Sequence, residues 1–250
     1  MSNRVSGRSL KTRLRTQWTT AAENWFNQDQ SVRTGMLDAW MLDALGDVDG
    51  REVLDIGCGD GRFCRLLAGL GAHVTGIDVT DAFIDRARHL ASLGETYLVG
   101  DAEQLAELDD ATFDLAVSYI VLVDLFDMDS AVAAAYRVLR TGGRFVVCNI
   151  HPIRSSLSDG WVKRGDDKLF YPVDNYTVEG PREWRVWGAP FINMHRSLSR
   201  HIDAFLGSGF RLTALREPTP TPAQLAANPT FDDEFRAPNF IIYELAKVAG

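Results

Sequence analysis

Three glycines at alternate positions, Gly57, Gly59 and Gly61, follow directly on the short apolar run Glu52–Ile56, and no other feature constrains this chain as much. A second apolar run, Val74-Thr75-Gly76-Ile77, ends in an acid, Asp78. This order predicts a strand, a tight turn, a helix and a second strand. Glycine lets the backbone bend and approach a ligand with no Cβ in the way. An acid just beyond the second strand stands where a ribose diol is held in nucleoside sites. From physical chemistry alone, the block describes a nucleotide-like ligand at the carboxyl edge of a parallel sheet.

The spacing departs from the dinucleotide fingerprint Gly-x-Gly-x-x-Gly, because position 62 is Arg62 and the third glycine comes one residue early. Asp55, two residues before Gly57, is out of place at a strand end that must receive a pyrophosphate. A carboxylate there suits a ligand carrying an ammonium group, since a buried charge needs compensation. Both points argue against an NAD-dependent oxidoreductase. The motif, an acid, any residue and then Gly-x-Gly-x-Gly, closely resembles the first motif of class I S-adenosylmethionine-dependent methyltransferases, the small-molecule subgroup included.

The chain has 250 residues and 46% apolar composition, enough for one sizeable core and a small cap. No run approaches the ~18 apolar residues of a membrane span. The net charge of −8 is unevenly spread: Arg4, Arg8, Lys11, Arg13 and Arg15 give the first fifteen residues +5, leaving −13 for the rest. Such an acidic body repels a phosphate backbone, so nucleic acid is a poor partner. The basic start is read as a transit peptide, as an arm that caps the substrate, or as a solvated lead-in; it lacks the apolar core of a secretory signal. Cys58, Cys64 and Cys148 show no metal-ligand spacing, and Cys58 and Cys148 read as small buried fillers. This usage suits a reducing cytoplasm.

Residues 10–26 and 31–45 are predicted helices ahead of the sheet. Strands follow at 51–56, 73–78, 97–99, 113–119 and 144–150, with helices at 61–69, 81–90 (Asp81 near its cap) and 130–139, the last broken by Thr141-Gly142-Gly143. This alternation marks an α/β sandwich with a parallel sheet covered on both faces. Residues 151–194 carry many aromatics, Trp161, Phe170, Tyr171, Tyr176, Trp184, Trp187 and Phe191, without helical period, and are read as an inserted antiparallel flap. A helix at 197–206 and strands at 210–215 and 239–245 complete the order, with 217–238 a long ordered loop. The resemblance implies a three-layer fold around a mostly parallel seven-stranded sheet with an antiparallel last strand. It also implies one methyltransferase domain over 1–250, with an N-terminal helical cap at 10–45 and a substrate-covering insertion at 151–194.

The resemblance further implies residue roles. Asp55, Gly57, Gly59 and Gly61 would cradle the amino-acid end of S-adenosylmethionine; the alternative for Asp55 is bracing its own turn through backbone N–H bonds. Asp78 would accept both ribose hydroxyls, with Val79 against the adenine. Asp101 would accept the adenine amine and the Ala102 N–H would meet a ring nitrogen, unless Asp101 caps a helix over 102–106. Ser118 and Tyr119 would lie beneath the methyl group, Tyr119 facing the sulfonium or packing in the core. Asp114 would be structural. Trp18 and Trp25, seven apart on one helical face, would close over the cofactor or fill the core.

Methyl transfer requires alignment, exclusion of water and, for a hydroxyl acceptor, removal of a proton. A metal is not required, and no ligand cluster is apparent. His151 follows the fifth strand and His195 follows the aromatic insertion; either is placed to serve as the base, and a structural histidine is the alternative for both. His195-Arg196-Ser197-Leu198-Ser199 resembles a motif of small-molecule methyltransferases. Glu179, Glu183 and Arg185 would orient a polar group or be solvated. The expected function is methylation of an oxygen or nitrogen on a small aromatic or apolar acceptor by a monomer or homodimer. A protein or RNA methyltransferase and a non-catalytic S-adenosylmethionine-binding module are the alternatives; Ser118-Tyr119-Ile120-Val121 is unlike the Asn/Asp-Pro-Pro-Tyr/Phe of amino-methylating nucleic-acid enzymes.

Overall fold

Strand β1 (Glu52–Ile56) lies at the middle of the molecule because it is apolar on both faces, with Val53, Leu54 and Ile56 all buried. The computed structural model describes residues 7–157, 160–186 and 189–248. Arg4, the Arg8 side chain and Trp187 lie outside what is described. Helices α1 (Gly7–Phe26) and α2 (Asp38–Leu45) precede the sheet, and a π-helical turn at Arg33–Leu37 interrupts the continuous helix expected over 31–45. The alternation then runs β1, α3 (Arg62–Ala68), β2 (His73–Asp78), α4 (Asp81–Leu90), β3 (Thr96–Val99), β4 (Phe113–Tyr119), α5 (Met128–Val138) and β5 (Leu139–Ile150). Beyond it come α6 (Pro152–Ser155), the hairpin strands β6 (Val162–Arg164) and β7 (Asp167–Phe170), and a second hairpin, β8 (Gly180–Val186) and β9 (Ala189–His195). Helix α7 (Leu198–Gly207), β10 (Arg211–Arg216), α8 (Pro222–Ala227), α9 (Asp233–Arg236) and β11 (Phe240–Ala246) close the chain.

The seven strands pair in the order β10-β11-β5-β4-β1-β2-β3. β1 is parallel to β2 and β4, while β11 runs antiparallel between β5 and β10. The mostly parallel sheet with its antiparallel last strand is therefore as expected. The aromatic segment forms the two separate hairpins rather than extending the sheet.

Local differences have physical causes. The 217–238 segment is not a plain loop: Thr221 and Gln224 form a reciprocal capping box at α8, with Pro222 in its first turn, and a 3-10 turn leads into α9. These elements are too short to show an apolar period. β5 begins at Leu139, earlier than Thr141-Gly142-Gly143 predicts, with an irregular register against β4 between Phe113 and Leu115. Helix α4 starts with Asp81 in its first turn and Thr80 at the cap position.

Candidate functional site

The chain steps outward from β1 to β2 and β3, then returns to β4 on the other side of β1. Such a reversal leaves a crevice at the carboxyl ends of the strands. A cavity of about 1210 Å³, counting its open mouth, lies there and takes its walls from β1, β2, β4, α1 and the turns that follow each strand.

Asp55 forms its floor, with only 1% of its surface exposed. One carboxylate oxygen accepts a hydrogen bond from Cys64 Sγ at 3.3 Å, and the other, Oδ1, has no protein partner. Burial pushes the carboxyl up to about 6, against the opposing pull of Cys64, Arg62 and Arg33. No backbone N–H is bonded to it among the described residues, so it does not brace its own turn. An orphaned acceptor with that burden is satisfied by an ammonium group. Asp78, at the end of β2, accepts the Gly59 N–H at 3.0 Å and the Thr80 N–H at 2.9 Å, and burial raises its pKa. Each of its oxygens keeps a lone pair for a ligand hydroxyl.

The three glycines do different work. A Cβ on Gly59, at φ +56°, would project toward Trp25 with its nearest atom 4.0 Å away, so this position leaves room for a ligand. A Cβ on Gly61 would lie 2.5 Å from the Tyr97 hydroxyl, and one on Gly57 would lie 2.5 Å from Val121. Gly57 still borders the cavity, but Gly61 does not; its smallness lets α3 approach Tyr97. Val79, Asp101 and Ala102 border the cavity. Asp101 accepts the Glu103 N–H at 3.0 Å and pairs with Arg15, and no helix follows it over 102–106.

The N-terminal helix covers this crevice. Trp18 and Trp25 both line it, 5.4 Å apart edge to face, and Trp18 also packs on Phe191 of β9 at 4.8 Å. Lys11 pairs with Glu103, Arg15 with Asp101 and, at the exposed surface, Arg13 with Glu183, so the basic residues that are described meet acids of the body. The Gln17 side chain exchanges two hydrogen bonds, both 2.9 Å, with the Ile192 backbone, joining cap to flap.

Tyr119 presents its ring to the cavity, while its hydroxyl donates to Asp38 at 3.1 Å and burial drives its pKa up. Asp38 is also held in a bidentate pair with Arg62 at 2.7 and 2.9 Å. Ser118, expected beneath the methyl group, points away: it is fully buried, borders no part of the cavity, and its hydroxyl has no partner. Side chains alternate along a strand, so Tyr119 and Ser118 cannot share a face.

The histidines also lie elsewhere. His195 is completely buried, its Nδ1 accepting from the Ser155 hydroxyl at 2.7 Å and its Nε2–H donating to the Tyr176 carbonyl at 2.8 Å. His151 caps α6 by accepting the Ile153 N–H at 3.1 Å and meets Glu217 at 3.0 Å. Burial lowers both pKa values. Neither ring borders the cavity, contrary to the expectation of a base facing the acceptor. Glu179, Glu183 and Arg185 do not border it either.

Two charged cavity residues went unnoticed in the sequence. Arg33, on the π-helical turn, stacks between Trp25 at 4.6 Å and Tyr119 at 5.3 Å. The second is Asp124, on the 3-10 turn Leu122–Asp124 after β4. A lone acid inside the apolar run Ile120–Phe126 was its only signal. Ile120 itself borders the cavity at φ +61°, a strained conformation for a β-branched residue. Among the described residues no group of three or more His, Cys, Asp or Glu side chains is placed to hold a metal ion, and no helix is long and apolar enough to cross a membrane.

A methyltransferase-domain family profile matches residues 54–147. The fold is similar to that of an S-adenosylmethionine-dependent methyltransferase from Mesorhizobium loti, with 32% identity, a TM-score of 0.76, and 83% of this chain and 95% of that one covered. Among curated relatives, a ubiquinone biosynthesis O-methyltransferase of Maricaulis maris is 29% identical over 174 residues, 59% of this chain and 68% of the relative. A demethylmenaquinone methyltransferase of Tropheryma whipplei is 32% identical over 132 residues, 49% of this chain and 55% of the relative. The orphaned Asp55 oxygen and the open face of Gly59 fit an amino acid joined to a nucleoside. The chain belongs to the class I, Rossmann-like S-adenosylmethionine-dependent methyltransferases, with S-adenosylmethionine as its cofactor.

Proposed function

We propose that this enzyme methylates an oxygen or nitrogen on a small, flat aromatic acceptor such as a phenol or hydroquinone. The observation that carries this reading is a single cavity with a charged floor at Asp55 and Asp78 and an aromatic wall of Trp18, Trp25, Phe83 and Phe126. Aromatic rings bury flat acceptors well and leave a bare sugar or phosphate unsatisfied. The names of the quinone-pathway relatives point the same way.

When bound, S-adenosylmethionine supplies a methyl carbon activated by its sulfonium. Asp55 holds the ammonium and Arg33, stacked but not ion-paired among the described residues, holds the carboxylate of the amino-acid end. Asp78 takes the ribose hydroxyls, while Val79, Asp101 and Ala102 border the base. The ring of Tyr119, its hydroxyl tied to Asp38, offers a π-face to positive charge. Trp18 and Trp25 of the cap exclude water and align the acceptor. Cap 10–45, core and insertion 151–194 act as one domain, and the acidic body turns away nucleic acid.

Incubation with methyl-labelled S-adenosylmethionine and a panel of catechols, hydroquinones, heteroaromatic amines and aliphatic acids tests this. Label is expected in the flat phenols or amines. Transfer only to protein or RNA would overturn the small-molecule reading.

A further inference from the structure

The 3-10 turn after β4 is held more firmly than a connecting loop requires. Arg196, buried behind it, donates to the carbonyls of Leu122 at 2.9 Å, Leu125 at 2.6 Å and Phe126 at 3.1 Å. Asn149 accepts the Val123 N–H at 3.2 Å from the other side. Of the side chains this scaffold brings to the cavity, beside Val121, Leu125 and Phe126, Asp124 is the charged one. Its Oδ1 accepts from Asn193 Nδ2 at 2.7 Å, so β9 of the flap orients the carboxylate, and the Trp18 indole of the cap bonds to it as well. Core, flap and cap thus converge on a carboxylate with no cation in ion-pair contact among the described residues. Such an arrangement contributes little to stability, because an unpaired acid is costly to enclose. It is what a proton acceptor needs: a fixed direction, an apolar setting and reach to the ligand.

Resting on the small-molecule reading above, we propose that Asp124 is the catalytic base that receives the acceptor's proton. The acceptor's O–H bond breaks and its proton passes to the Asp124 carboxylate. The freed electron pair of the oxygen forms the bond to the methyl carbon. The carbon–sulfur bond breaks with its pair left on sulfur, so a methyl ether, a thioether and a neutral Asp124 result. Asp124 then loses its proton to solvent through the cavity mouth.

The electrostatics agree with this geometry. Burial raises the Asp124 carboxyl to about 7, opposed by its bonds from Asn193 and Trp18 and by the Arg33 charge, and assisted by Asp78. Arg196, on the far side of the turn, is the other charge packed against it. His195 and His151, neither of them in the cavity, are left structural.

The test compares wild type, Asp124→Asn and Asp124→Glu. Calorimetry with S-adenosylhomocysteine should give affinities within about twofold for all three, because Asp124 meets the acceptor. With the best phenol of the panel, Asp124→Asn should lose roughly 10²-fold or more in kcat, and the acidic limb of the wild-type profile should vanish. Asp124→Glu should keep a limb at a shifted pH. Carbon-13 carboxyl NMR of aspartate-labelled protein should show one resonance titrating near pH 7 that is missing in Asp124→Asn. Turnover of Asp124→Asn within about threefold of wild type, with the limb unchanged, would overturn the proposal. If wild type methylates none of the panel's small molecules, the small-molecule reading fails, and the titration alone judges Asp124: a midpoint in the ordinary carboxylate range overturns its role.

Discussion

Replacing Asp55 with Asn should stabilise the ligand-free protein and cripple cofactor binding together. The carboxyl is buried, bonded among the described residues only through Cys64, and raised from 3.8 to about 6. An acid whose folded pKa exceeds its unfolded value binds more protons when folded, so stability falls as pH rises from about 4 through about 6. Above that window the ionised group costs about 3 kcal/mol, at 1.36 kcal/mol per pKa unit. Asn keeps an acceptor for Cys64 and removes the charge, so at pH 8 the variant should gain up to about 3 kcal/mol, roughly 6–10 °C in Tm for a chain of this size. At pH 5 the gain should shrink to about half, because wild-type Asp55 is then largely protonated. Binding should move the other way. The ammonium of S-adenosylhomocysteine loses its buried partner, about 3–5 kcal/mol, or at least 10²-fold in affinity. Thermal melts at pH 5 and pH 8, with and without S-adenosylhomocysteine, measure both effects. A variant less stable than wild type at pH 8 that still binds within threefold would refute the reasoning and make Asp55 a brace for its turn.

Asp78→Ala should weaken S-adenosylhomocysteine binding by about 2–4 kcal/mol in calorimetry, since hydrogen bonds to a carboxylate are strong; it also frees the Gly59 and Thr80 N–H groups, and unchanged affinity would end the ribose assignment. Gly59→Val and Gly61→Ala should separate the glycine roles: the first should abolish binding in a protein that still folds, and the second should mainly lower Tm through collision with Tyr97. Equal binding loss at equal Tm in both would contradict that division. His195→Ala strands the Ser155 hydroxyl and the Tyr176 carbonyl, at about 1–3 kcal/mol for each buried group. A lower denaturant midpoint with kcat within a few-fold of wild type is expected, whereas a 10²-fold loss of kcat at unchanged stability would return the base to His195.

The sequence by itself determined the sheet-and-helix alternation and the floor of the site. A strand apolar on both faces, a glycine-rich turn and an acid after the next strand are local features, written in adjacent residues, so Asp55, Gly57, Gly59 and Asp78 were legible from spacing alone. β2 and β4 appear with the boundaries their apolar runs predict, for the same reason. What only the tertiary structure decided is what faces what across long sequence separations. Period 2 told that Ser118 and Tyr119 point to opposite faces, but not which face carries the cavity. His195 ends β9 of the flap and His151 directly follows β5, yet α6, the flap and Glu217 take up their ring nitrogens, contacts that apart from the His151 cap no local pattern encodes. Arg33 reaches the cavity because a π-turn interrupts an otherwise helical run, and Asp124 because Asn193, far along the chain, holds it there. Strand and helix follow from the periodicity of burial; the direction of a single polar side chain follows from partners that only folding brings near.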